Sequence, residues 1–100
     1  MSFSDSYNQI LKINDNKYIY CYSNGSYFYV KVINITTTGI TVSSPAQSAS
    51  ANINAITGIC KLTDDKIVVI GTYGSSSTNY IYAALFTINA TNATYNSLAS

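Results

Sequence analysis

Apolar residues come in short runs separated by polar turns, and the runs return. Ile10-Leu11-Lys12-Ile13-Asn14-Asp15-Asn16-Lys17-Tyr18-Ile19-Tyr20-Cys21-Tyr22 reappears as Ile59-Cys60-Lys61-Leu62-Thr63-Asp64-Asp65-Lys66-Ile67-Val68-Val69-Ile70-Gly71, 49 positions further on. Each copy reads as an apolar strand, an Asp-bearing turn, a Lys and a second apolar strand. The pattern predicts eight strands in two sets of four: residues 7–13, 17–22, 27–35 and 40–44, then 56–62, 66–72, 79–88 and 93–98. Asn14-Asp15-Asn16 suits a tight turn through side-chain bonds to its own backbone. Asn24-Gly25, between two runs rich in Tyr and β-branched residues, is a strong hairpin signal. The second hairpin loop, residues 73–78, is longer, and beyond it the offset becomes 53: Tyr27 matches Tyr80, Tyr29 matches Tyr82 and Ile35 matches Ile88. Loops absorb a change of length that strand ladders do not tolerate.

The middle strands are apolar on both faces. In residues 18–22 the tyrosines share one face and Ile19 and Cys21 the other; in residues 80–88 Tyr80, Tyr82, Ala84, Phe86 and Ile88 oppose Ile81, Ala83 and Leu85. A sheet wetted on one side alternates apolar with polar residues, so these sheets are expected to be covered on both sides. Residues 45–55, with small side chains and the only proline, read as an exposed connection between two units, 1–50 and 51–100. No helical pattern competes, and the chain is expected to be all-β.

Four antiparallel strands recurring every ~40–50 residues with a turn motif marking the period is the signature of a β-propeller. On its two Lys-Asp-Lys phrases, Ile10 to Tyr18 and Ile59 to Ile67, and on the Tyr-x-Tyr of each third strand, the chain resembles the propeller-type repeats of phage tail and bacterial surface proteins. It has no Trp and no Gly-His pair, so the scaffold roles of the tryptophan–aspartate class are not implied. The resemblance implies two four-stranded blades per chain. Because propellers need ~4–8 blades, it also implies a homo-oligomeric ring closed by two to four or more copies. A small β-sandwich of eight strands is the alternative fold.

Composition narrows the chemistry. Five Lys, four Asp and no His give a net charge of +1, which offers nucleic acid or an anionic membrane no electrostatic attraction. No apolar run approaches the ~20 residues of a membrane helix. Residues 1–5 lack the basic start and apolar core of a signal peptide, while the Ser, Thr, Asn and Tyr surface is common on extracellular and virion-surface β-proteins. Without His, Ser-His and Cys-His pairs cannot form within the chain, so no catalytic residue and no enzymatic activity is assigned. Cys21 and Cys60 read as buried free thiols. No metal ligand set or cofactor is assigned, since Asp15, Asn16, Asp64 and Asp65 lack the calcium-loop pattern and suit turns. Lys12, Lys17, Lys61 and Lys66 read as solvation and edge protection of strands.

Two functions are compatible with these residues. One is a binding module for carbohydrate or a cell-surface polymer, contacted through Tyr22, Asn24, Tyr73 and Asn79 at the hairpin ends, where aromatic faces and amides suit a neutral ligand. The other is a structural or assembly repeat module, or a fragment of an engineered propeller, with no ligand.

Overall fold

The computed structural model describes residues 8–51, 53, 55–74 and 79–100. The expected leader, Tyr7 and the tip of the second hairpin loop at 75–78 lie outside these residues. The chain is all-β, with strands β1 (Asn8–Asn14), β2 (Lys17–Ser23), β3 (Phe28–Thr36), β4 (Gly39–Val42), β5 (Ala46–Gln47), β6 (Ala55–Thr63), β7 (Lys66–Gly74), β8 (Asn79–Ile88) and β9 (Ala93–Ala99). They form two antiparallel sheets. The first has the order β1-β2-β3-β4 with β5 also paired to β3; the second has the order β6-β7-β8-β9.

The ladders recur position by position. Leu11 pairs with Ile19 as Cys60 pairs with Val68; Tyr18 pairs with Ile33 as Ile67 pairs with Phe86; Ile33 pairs with Val42 as Phe86 pairs with Tyr95. Bulges fall between Lys12 and Asn14 and between Lys61 and Thr63. In each first turn a lysine bonds the carboxylate three residues on, Lys12 to Asp15 and Lys61 to Asp64, both at 3.1 Å. The amide of Ile35 donates to the Asn16 carbonyl and that of Ile88 to the Asp65 carbonyl, both at 2.7 Å.

The fourth strand differs between the sheets. In the second sheet β9 runs unbroken apart from a register shift between Leu85 and Phe86, reaching the Ala83–Ala99 pair. In the first, Pro45 has no amide to donate, and the strand splits into β4 and β5. Ser43 bridges the gap: its amide donates to the Val32 carbonyl at 2.9 Å, and its hydroxyl accepts the Val32 amide at 2.8 Å. Pairing resumes at Val30–Ala46. The stretch expected as an exposed loop is therefore partly strand and partly core. The Ser48 amide donates to the Phe28 carbonyl, Ala51 to that of Ser26 and Ile53 to that of Gly25, and Ser48, Ala51 and Ile53 are buried. The connection crosses the β2–β3 hairpin end before entering β6.

The sheets share one core. Ile19, Cys21, Phe28, Val30 and Val32 of the first meet Ile67, Val69, Ala84, Phe86 and Ile88 of the second. Gly71 lies directly beneath Phe28: a Cβ there would come within 2.7 Å of the Phe28 ring and 3.0 Å of Ile53. At the other end the Lys17 ammonium donates to the Asn89 carbonyl at 3.1 Å and the Asn34 amide to the Ala90 carbonyl at 3.0 Å. Because Lys17 opens β2 and Lys66, which opens β7, pairs with Thr87, the sheets stack in the same sense, β1 beside β6 and β5 beside β9. Each sheet is covered on one face only. Within one chain, one apolar face of each sheet stays open.

Candidate functional site: two open faces and the hairpin ends

The open face of the first sheet is a ladder of tyrosines. Tyr18, Tyr20 and Tyr22 alternate along β2 and lie beside Ile33, Lys31 and Tyr29 on β3. Tyr20 and Tyr22 stack at 5.5 Å between centroids, and Tyr22 and Tyr29 at 5.0 Å. Tyr27 meets Tyr29 edge-on at 6.2 Å. Such offset stacks add ~0.5–1.5 kcal/mol per pair beyond burial. They hold each ring half-buried by its neighbours, and this partial desolvation, followed by the adjacent Tyr29 and Tyr20 hydroxyls, raises the Tyr22 pKa above its ordinary value. Ile10, 65 % exposed, together with Val42 and Ile40, extends this aromatic face to both edges.

The open face of the second sheet is aliphatic. Val68 and Ile70 on β7 lie beside Leu85 and Ala83 on β8, with Ile81 at the hairpin end and Cys60 on β6. Ile70, Ile81 and Leu62 are exposed large side chains. Cys60, expected to be buried, is exposed; only Cys21 is enclosed, and burial pushes its thiol up to about 12. The difference lies in which face of its sheet each thiol occupies, since both strand runs are equally apolar.

The four residues expected to bind ligand fall into two clusters. Tyr22 and Asn24 meet through Tyr29: Tyr22 stacks on its ring and the Asn24 amide donates to its hydroxyl at 3.2 Å. Asn24 is committed to the turn, its Oδ1 accepting the Ser26 and Tyr27 amides at 2.9 and 3.2 Å. Gly25 next to it has φ 98°, the left-handed region that glycine alone enters freely. Tyr73 and Asn79 belong to the second sheet, where Tyr73 pairs with Tyr80 and Gly74 with Asn79. The Tyr73 and Tyr80 rings lie 6.2 Å apart, and Tyr80, 47 % exposed, continues to Tyr82. No hydrogen bond or ring contact joins the two clusters among the described residues. Tyr29 and Tyr80 were not singled out, although their Tyr-x-Tyr spacing placed them on the same faces as Tyr22 and Tyr73.

The turn carboxylates do not converge. Asp64 faces Lys61, whereas Asp65 accepts the Thr63 hydroxyl at 2.6 Å, which lowers its pKa. Among the described residues no group of three metal-binding side chains is found, and no helix is long and apolar enough to cross a membrane. No known protein-family model matches the chain, and neither the curated proteins nor the solved structures contain a detectable match.

Proposed function

We propose that the chain is a non-enzymatic assembly module whose copies associate through the two open sheet faces into a ring of four-stranded, propeller-like blades. The observation that carries this reading is the placement of the exposed large hydrophobics. Ile10, Ile40 and Val42 belong to the open face of the first sheet, and Leu62, Ile70 and Ile81 to the second. Fully burying one such side chain is worth ~1.5–3 kcal/mol, and two contiguous apolar faces on one small chain mark interaction surfaces. A ring of ~4–8 blades corresponds to two, three or four copies. Native mass spectrometry gives the test: a species at a small-integer multiple of 10.8 kDa is expected, and a monomer at all accessible concentrations overturns the reading.

Recognition of a neutral carbohydrate or cell-surface polymer is a second reading, favoured by the Tyr73–Tyr80 pair at the end of the β7–β8 hairpin. Those rings, with the hydroxyls of Tyr73, Tyr80 and Tyr82, would supply an aromatic platform and polar groups, while Asn79 lies on the opposite face of β8 beside Gly74. Asn24, consumed by its turn, would have a structural role instead. A glycan array probed with the wild type and with Tyr80→Ala and Tyr73→Ala tests it: binding lost in both variants supports recognition, and no binding by the wild type removes it.

A further inference from the structure

We infer that copies of this chain stack head to tail, the aromatic face of one first sheet covering the aliphatic face of another copy's second sheet, in the register already used between the two sheets of one chain. This rests on the assembly reading above and specifies which surfaces meet.

The carrying observation is an inversion of burial between equivalent positions. Ile19, Cys21, Phe28, Val30 and Val32 are fully buried, while their equivalents Val68, Ile70, Ile81, Ala83 and Leu85 lie on the open aliphatic face. The contrast is largest at Phe28, 0 % exposed, and Ile81, 66 %. Conversely Ile67, Val69, Gly71, Ala84 and Phe86 are buried, and their equivalents Tyr18, Tyr20, Tyr22, Lys31 and Ile33 form the open aromatic face. The edge strands agree: Leu11, Ile13, Ile59, Ala93 and Tyr95 pack against the core, whereas Cys60, Leu62, Ile10, Ile40 and Val42 are exposed. The interface inside the chain therefore joins one face of the strand plan, from the first sheet, to the opposite face, from the second, and the chain leaves the equivalent of each uncovered.

Side-chain sizes at the open faces partly exchange. Inside the chain Phe28 sits over Gly71; in the inferred contact Ile81 sits over Tyr22. Tyr20 replaces Val69 and Lys31 replaces Ala84 on the aromatic side, while Ala83 replaces Val30, Val68 replaces Ile19 and Cys60 replaces Leu11 on the aliphatic side. Ile70 for Cys21 and Leu85 for Val32 run the other way. At the opposite end Lys66 takes the place of Lys17 and meets the Thr36 carbonyl of the next copy, as Lys17 meets that of Asn89. Two-fold pairing would instead bring two aromatic faces, each carrying Lys12 and Lys31, against one another, and leave the aliphatic faces to a second contact or to water. A heterologous contact covers both, and it closes into a ring when its rotation permits.

The test uses one blocking change per face at exposed or half-exposed positions: Ile70→Glu on the aliphatic face and Tyr20→Glu on the aromatic face. Each variant alone is expected to be monomeric. Their 1:1 mixture is expected to form a heterodimer, since each retains the face the other lacks. If one variant still self-associates like the wild type, the contact is two-fold and the head-to-tail register is overturned while assembly stands. A monomeric wild type overturns both. Should a variant fail to fold by circular dichroism, Tyr22→Cys and Ile81→Cys, each in a Cys60→Ala background, replace the pair. A short bismaleimide is expected to join Tyr22→Cys to Ile81→Cys and neither to itself; cross-linking of either variant to itself overturns the register.

Discussion

Tyr20 and Val69 occupy the same place in two copies of one strand plan, yet Val69 is buried and Tyr20 lies on an open face. The ladders of the first three strands and the bulge before each first turn are built on both sides of the core, so the geometry of these strands does not separate the two sheets. What separates them is which face found a neighbour. Where these positions are covered they include Gly71 and Ala84, small enough to admit Phe28 and its surroundings; where they are open they carry Tyr22 and Lys31. Tyrosine and lysine tolerate water at one end and apolar contact along the rest. That combination suits a surface required to be soluble in the free chain and apolar when covered.

Equivalent positions should therefore respond unequally to the same change. The largest difference is expected at Phe28 and Ile81. Phe28→Ala deletes a ring from the shared core, and such truncations cost ~3–5 kcal/mol, enough to threaten the fold of a small domain. Ile81→Ala removes an exposed side chain and is expected within about 0.5 kcal/mol of wild type in the free chain. Urea titration of dilute protein reads both; similar losses would mean that the faces are not as differently packed as described.

A smaller contrast is expected at Gly71 and Tyr22. Gly71→Ala places a methyl where the Phe28 ring and Ile53 already stand, and overpacking of this kind costs ~1–3 kcal/mol. Tyr22→Ala loses its stack on Tyr20 and Tyr29 and is expected to cost ~1 kcal/mol, with a larger loss of self-association. Thermal unfolding at low concentration, set beside the concentration dependence of the mass, separates the two effects.

Cys21 and Cys60 give a contrast in burial, and Cys21 a dependence on pH. Burial raises the Cys21 thiol from 9.0 to about 12, so the folded chain holds this proton where the unfolded chain releases it. Its contribution is complete below the unfolded pKa and is lost as pH rises from 9 toward 12, a decline of up to ~4 kcal/mol. Cys21→Ala is expected to flatten that decline in urea midpoints measured across pH 8 to 11, and a decline unchanged in that variant overturns the assignment. Thiol labelling at pH 8 should modify Cys60 first.

All eight expected strands were legible, because each is a β-branched or aromatic run closed by Asn, Asp, Gly or Thr turns, and a ladder needs little more. The inversion of burial was not. Tyr18, Ile19, Tyr20 and Cys21 are apolar on either side, so alternation marks two faces without saying which one is core. Ser48, Ala51 and Ile53 escaped because the small side chains around them carry no period. Their burial comes from backbone bonds to Phe28, Ser26 and Gly25, partners 20 or more positions away. For the site, pairing of Tyr22 with Asn24 followed from hairpin geometry, but separation of Tyr73 and Asn79 into another cluster depended on sheet stacking.

The smallest expected effect falls on the feature that first exposes the repeat. Lys12–Asp15 and Lys61–Asp64 have the same spacing and the same 3.1 Å contact, and they sit in turns at matching ends of the two sheets. Their carboxylates are almost fully exposed, so solvent and salt screen both pairs. The surroundings differ: Asn14 and Asn16 close the first turn, with the Asn16 amide bonded to the Ile35 carbonyl at 2.9 Å, whereas Thr63 and Asp65 bond each other in the second. Backbone and side-chain bonds outside the ion pair, which survive its loss, hold both turns. Asp15→Asn and Asp64→Asn are each expected to change stability by less than about 0.5 kcal/mol at low salt and by nothing measurable at high salt. A loss well above that in either variant, persisting at high salt, would make its carboxylate a structural part of the turn and separate the two sheets where they otherwise look most alike.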